Sequence, residues 1–146
     1  MTLDECFTRG QLRKTAPDIR KAKRALEIAA EKLGKARKLL KASFAEEAVV
    51  SAYASMFHLG RALLFRDGGR VKSDYCVVVY LREMYVKTGK LGAALITVMD
   101  SFREERHEVM YGMGGISVKE EEADAAIENA ENMLRGVKML IGGAMR

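Results

Sequence analysis

An all-α fold, an antiparallel up-and-down four-helix bundle with a short N-terminal helix, is what this chain predicts, and three observations carry that reading. Its 146 residues include one Pro, no Trp and nine Met among many Ala, Leu, Lys, Arg and Glu, a composition that favours helices over sandwiches or barrels. Apolar residues recur at steps of three and four through several long segments, the period of a helix with one buried face. Short connections bearing cap residues or glycines separate those segments, so neighbouring helices should pack antiparallel. The length suits one domain over 1–146, and an apolar share of 49% is enough to fill its core.

The elements follow in order. Residues 1–15 predict a short amphipathic helix around Leu3, Phe7 and Leu12, weakened by Gly10. Pro17 reads as a first-turn proline, and Asp18 behind it suits the positive end of a helix dipole. Ile19, Ala22, Leu26, Leu33, Ala36 and Leu40 then mark a helix of about six turns. Ser43 and Glu46 form a capping-box pattern opening a second helix, which runs to about Phe65 and stops at 67-DGG-69. Its middle, 48-AVVSAYASMFHLG-60, carries no charge on any face, which predicts a central helix that also meets a second subunit. Ser73 and Asp74 are cap candidates for a third helix ending near 88-TGK-90. The fourth covers roughly 91–110 and ends at 112-GMGG-115. Ser117 and Glu120 repeat the capping box before a last helix that ends at 142-GG-143.

Charge is distributed unevenly. Residues 9–41 carry twelve Lys and Arg against three acids, a net +9 that leaves −4 on the rest of the chain. Such asymmetry marks either a solvated helix face or a surface for RNA or an acidic partner. Cys6 and Cys76 stand far apart, with no CxxC and no His beside either, so reduced thiols in a cytoplasm are expected. The longest uncharged run, Ala48 to Gly60, is too short to span a bilayer, and no membrane association is expected.

Chemistry concentrates in 102-FREERHEVMYG-112. The seam Leu95, Met99, Phe102, Arg106, Val109, Met113 follows one helix face, and Arg106 puts a guanidinium where the pattern calls for an apolar residue. Its neighbours at three and four residues are Phe102, Arg103, Val109 and Met110, none a carboxylate. A charge aimed at an apolar interface needs a partner from another helix, another subunit or a ligand. Arg103, His107 and Tyr111 share an adjacent edge at i, i+4, i+8. Together these residues suit phosphodiester chemistry: His107 as general acid and base, Arg103 and Arg106 as phosphate clamps, Tyr111 as an orienting hydrogen-bond group. A plainer reading pairs Arg103 with Asp100 and His107 with Glu104 on a solvated surface. On the uncharged helix, Tyr53, Phe57 and Arg61 share another edge, flanked by His58, which reads either as a core histidine or as part of a pocket built with the Arg/His helix.

No GxxxxGK[ST], GxGxxG after a strand, HExxH or GxSxG occurs. A P-loop or dinucleotide site is excluded, and no cofactor or metal is expected.

Three stretches together resemble the HEPN family of small prokaryotic helical proteins: 6-CFTRGQLRKTAPD-18 with the charged helix after it, 53-YASMFHLGRALLFRDGGRVKSDYCVVVYLREMYVKTGKL-91, and 106-RHEVMYG-112 with 117-SVKEEEADAAIENAENM-133. The resemblance implies a helical bundle that forms a homodimer. In many members it implies a metal-independent endoribonuclease site, made by an Arg and a His four to six residues apart and composed from both subunits. Other members bind nucleotides or partners without catalysis, and many are paired with a minimal nucleotidyltransferase as toxin and antitoxin. By position, Arg106 and His107 match the family's Arg and the polar residue after it. The spaced His would fall at 111–113, where Tyr111, Gly112 and Met113 stand. Asp74 stands where some relatives would carry His, and with Tyr53, His58 and Arg61 it forms the expected substrate-binding set. The chain therefore reads as an RNA- or nucleotide-binding protein, with endoribonuclease activity or a non-catalytic interaction role as the alternatives.

Overall fold

The computed structural model describes residues 1–111 and 118–144, excepting the side chains of 109–111 and 143–144. Among these residues the chain is mostly helical, as its composition predicts. In order it forms α1 (Leu3–Thr8), β1 (Leu12–Lys14), α2 (Ile19–Lys41), α3 (Ala45–Asp67), β2 (Gly69–Val71), α4 (Asp74–Leu81), α5 (Ala93–Tyr111) and α6 (Glu120–Ala144). A π-helical turn, Arg82–Val86, continues α4.

Helix α2 starts where the Asp18 carboxylate accepts the Lys21 backbone N–H at 3.0 Å. Asp18 is thus the N-cap, and Pro17 stands one residue before it rather than in the first turn, because the capping carboxylate must precede the helical residues it serves. The helix buries a stripe of small residues, Ala22, Ala25, Ala29 and Ala36, with Leu33 among them, which lets α3 lie close. Ser51 Oγ donates to the Lys32 carbonyl at 2.8 Å and Ser55 Oγ to the Ala29 carbonyl at 2.7 Å, so α3 runs antiparallel to α2. Asn129 meets Met56, and Arg66 donates to the Leu140 carbonyl, so α6 runs the same way as α3. Asn129 also donates to the Leu95 carbonyl at 3.0 Å, while Glu105 faces Glu122, which sets α5 against α6. The four long helices alternate in direction around Met56, Leu59, Leu63, Ile96, Met99 and Met133, all fully buried. Helix α3 is long and apolar enough to cross a membrane by length and composition. However, 67% of its most apolar window is buried inside the fold, so the core accounts for its apolarity.

Several local expectations are corrected. Leu12 is not helical: α1 stops at Thr8, Gly10 turns the chain at a φ of 72°, and Leu12 is buried on a two-stranded antiparallel ribbon. That ribbon pairs Leu12 with Val71, Arg13 with Arg70 and Lys14 with Gly69. Ser43 does not cap α3. It adopts the left-handed conformation (φ 69°) in the tight turn out of α2, and Phe44 takes the cap position with no side-chain bond. The turn's backbone bonds from Ser43 and Phe44 back to Leu40 and Leu39 satisfy the end of α2 and leave the Ser43 hydroxyl out of register. The third helix is broken into α4 and the π-helical turn. Gly68 ends α3 at φ 97°, where a Cβ would press to 2.7 Å from the Thr15 carbonyl, and Ser73 caps α4 at 3.3 Å from Cys76 N, both as expected. The second capping box, at Ser117, lies outside the described residues, as does Met113 of the seam.

Cys6 and Cys76 are not separate thiols. They form a disulfide, Cα atoms 5.9 Å apart, that fastens α1 to α4. The ribbon brings the two helices together across 70 positions of sequence, a proximity no spacing rule reveals. Gly60 matters similarly: a Cβ there would collide with Val77, so only glycine lets α4 approach α3 this closely. At the far end of α3, Asp67 accepts hydrogen bonds from the hydroxyls of Tyr80, at 2.6 Å, and Tyr85. Burial, followed by bonding to Asp67, pushes both phenols well above their ordinary range.

Candidate functional site

Close packing of α4 on α3 brings the start of α4 beside the middle of α3, and α5 crosses both. The result is a groove of about 470 Å³ lined by Tyr53, Phe57 and Val50 of α3, Lys72 and Asp74 around the start of α4, and Arg106 of α5. Arg106 finds its carboxylate 32 residues away, with Nη2 3.3 Å from Asp74 Oδ2. Its guanidinium lies over the Tyr53 ring, 5.3 Å from the centroid, a cation–π geometry. The Tyr53 hydroxyl donates to the same Asp74 oxygen at 3.4 Å. Burial first, and then the Asp74 charge, raise the Tyr53 phenol far above its ordinary value, so it stays a neutral donor. All three groups are buried or half-buried.

Arg103 belongs to a neighbouring cluster. Its Nε donates to Asp100 at 2.9 Å, Nη2 lies 3.5 Å from Glu104, and the guanidinium sits over the Tyr75 ring at 5.2 Å. Arg82 joins Asp100 from the π-helical turn at 3.6 Å. His107, one residue past Arg106, is exposed on the next face of α5. Tyr111 is helical in its backbone, and its side chain lies outside the described residues.

The remaining expected residues separate. His58 and Arg61 do not join Tyr53 in the groove: Arg61 Nη1 donates to His58 Nδ1 at 3.3 Å, and Arg61 turns toward Phe65. Accepting at Nδ1 requires a neutral ring, and burial, followed by the Arg61 and Lys32 charges, holds the imidazole below its ordinary pKa. The sequence reading missed Lys72 as a groove residue. Lys72 directly follows strand β2, and no local pattern in the sequence marks it, because its place in the groove depends on where the ribbon sets the start of α4. Among the described residues no group of three or more His, Cys, Asp or Glu could hold a metal ion.

A half-buried guanidinium at the wall of a groove that Lys72 also lines, with the exposed His107 imidazole one residue further along α5, is suited to a phosphodiester. A family model described as "HEPN domain" matches residues 22–140, which span α2 to α6 and include every groove residue. No curated protein matches the chain.

Proposed function

The chain belongs to the HEPN family, and from that premise we propose that it binds RNA as a homodimer through the α3–α4–α5 groove and cleaves it without a metal. The observation that carries this reading is Arg106, fixed by Asp74 and Tyr53 at the edge of a groove that also holds Lys72. A phosphate there meets two cations, and the apolar strip Val50, Ala54 and Phe57 alongside gives a second copy a surface to cover. In the cleavage step the ribose 2′-oxygen attacks the adjacent phosphorus and its proton passes to His107. The bond to the 5′-oxygen breaks, and that oxygen takes a proton back from the imidazolium or from water. The products are a cyclic phosphate end and a 5′-hydroxyl end. Arg106 stabilises the charge gathering on the phosphoryl oxygens, Arg103 serves as a second clamp, and Tyr111 orients the strand. A minimal nucleotidyltransferase is the proposed protein partner, tested by co-expression and recovery of a stable complex.

The Asp74 contact favours a second reading, in which Arg106 is a paired seam charge in a non-catalytic interaction module. A carboxylate on the guanidinium competes with phosphate, so the variant Asp74→Asn separates the two. The RNA reading expects tighter RNA binding in this variant, while the interaction reading expects lower stability with RNA binding unchanged. For catalysis, wild type, His107→Ala and Arg106→Ala are incubated with a mixed RNA pool in EDTA and the 3′ ends analysed. Cyclic phosphate ends in the wild type, reduced about a hundredfold or more in His107→Ala, are expected for a lost general acid–base. Cleavage at undiminished rate in that variant removes His107 from the mechanism.

A further inference from the structure

A second cavity, of about 310 Å³, opens on a different face, between the first turns of α2, the C-terminal half of α3 and strand β2. Lys21, Arg24, Arg61 and Arg70 rim it, and no acid is among its described lining residues. The ribbon builds this convergence. Asp18 N donates to the Phe65 carbonyl at 2.8 Å and Thr15 N to the Gly68 carbonyl at 2.9 Å, pinning the start of α2 to the end of α3. Lys21 and Arg61 consequently share the Phe65 ring, 5.9 and 5.1 Å from its centroid. Arg70 stands directly opposite Arg13 across the ribbon, a like-charge pair that disfavours the sheet. Arg24 has Glu27 and Glu31 along its own helix. Among the described residues no ion pair joins Lys21, Arg61 or Arg70 to a carboxylate, and burial, then Arg70, lower the proton affinity of Arg61.

Gathering these cations costs free energy that a bound anion would return. We propose that the pocket binds a phosphate monoester group, carried either by a small phosphorylated molecule or by the phosphorylated end of an RNA strand. Two guanidinium forks and a lysine match a dianion with several acceptor oxygens better than a single carboxylate. The cavity is larger than one inorganic ion needs, and its apolar floor, including Ile28 and Leu64, suits the organic part of the ligand. None of the Arg106 groove residues takes part, so the pocket stands or falls independently of the proposed cleavage.

The test is calorimetric titration of the full chain with inorganic phosphate and pyrophosphate, at matched ionic strength in chloride. Wild type binds both, Arg61→Gln/Arg70→Gln weakens binding at least tenfold, and Lys23→Gln, on the same helix but outside the pocket, changes nothing. Should the double variant lose its helical circular dichroism, Lys21→Gln at the exposed rim replaces it, with weaker binding again expected. Failure of wild type to bind either anion, or binding undiminished in the pocket variants, overturns the proposal. Titration with one RNA sequence bearing a 5′-phosphate or a 5′-hydroxyl then identifies the source. A tenfold preference for the phosphorylated strand, lost in the double variant, assigns the strand end. Phosphate binding with no preference between strands assigns the small molecule. Loss of both strands in Arg106→Ala, with phosphate binding intact, would report on the groove alone.

Discussion

Arg106 resolves at the scale of a single residue. Its position on an apolar seam was legible from spacing, as was the lack of a carboxylate on its own helix. That its partner is Asp74 was not, because the pairing depends on α4 docking against α3 across Gly60. His58 shows the same division. Its place on an uncharged helix was readable, whereas its hydrogen bond from Arg61 and its neutral state come from the packed structure. That state has a pH consequence with a definite sign. The folded pKa lies below the unfolded value of 6.5, so the unfolded chain takes up the proton first as pH falls. The His58 contribution is therefore present above pH 6.5 and is lost as pH falls from there toward the depressed folded value. Urea unfolding at pH 7.5 and 5.5 should show wild type losing stability relative to His58→Gln. The slope has a ceiling of about 1.4 kcal/mol per pH unit, reduced because the ring is only half-buried. Parallel pH dependence of the two proteins would mean that this ring does not titrate on unfolding.

At the scale of elements, Gly68 and Ser73 were readable because each acts within three or four residues of itself. Asp18, expected as a charge behind a first-turn proline, is the N-cap instead, and α6 runs on through 142-GG-143, its expected end, to Ala144. Ser43 misled because the turn's backbone bonds to Leu40 and Leu39 hold it in the left-handed region, which is uncommon for serine and which its residue type does not signal. The ribbon and the disulfide were invisible, since each joins segments more than fifty residues apart. The crosslink carries a stability prediction. Closing 70 residues of sequence separation restricts the unfolded chain by roughly 4 kcal/mol in the chain-entropy account. Reduction with dithiothreitol should lower the melting temperature by about 10 °C for a chain of this size, and thiol titration of the oxidised protein should find no free thiol before reduction. Unchanged melting after complete reduction would mean that α1 contributes nothing through its tether.

At the scale of the whole molecule, the proposed function needs a second copy. Phe57 and Val50 form a half-buried apolar strip beside Arg106, and Phe44 is exposed near the same end of α3. Sedimentation should give a dimer for wild type, and a monomer of unchanged helix content for Phe57→Glu, since a charge on that strip opposes burial by another chain. A wild-type monomer would leave each groove to act alone and remove the composite site. The uneven charge acquires a shape at this scale as well: part of the basic excess of residues 9–41 gathers with Arg61 and Arg70 around one cavity rather than spreading evenly over α2.

What this sequence determined by itself is whatever rests on short-range physics: the helical class from composition and period, some helix ends, such as those at Gly68 and Ser73, from residues that satisfy backbone groups within a turn, and the anomaly of a guanidinium on an apolar seam. Tertiary structure alone decided which distant groups meet: Arg106 with Asp74 and Tyr53, Cys6 with Cys76, and Arg61 with Lys21 and Arg70 rather than with the groove. The reason is geometric. Local pattern specifies the face a side chain leaves its helix from, whereas its neighbours depend on how closely and in which direction the helices pack.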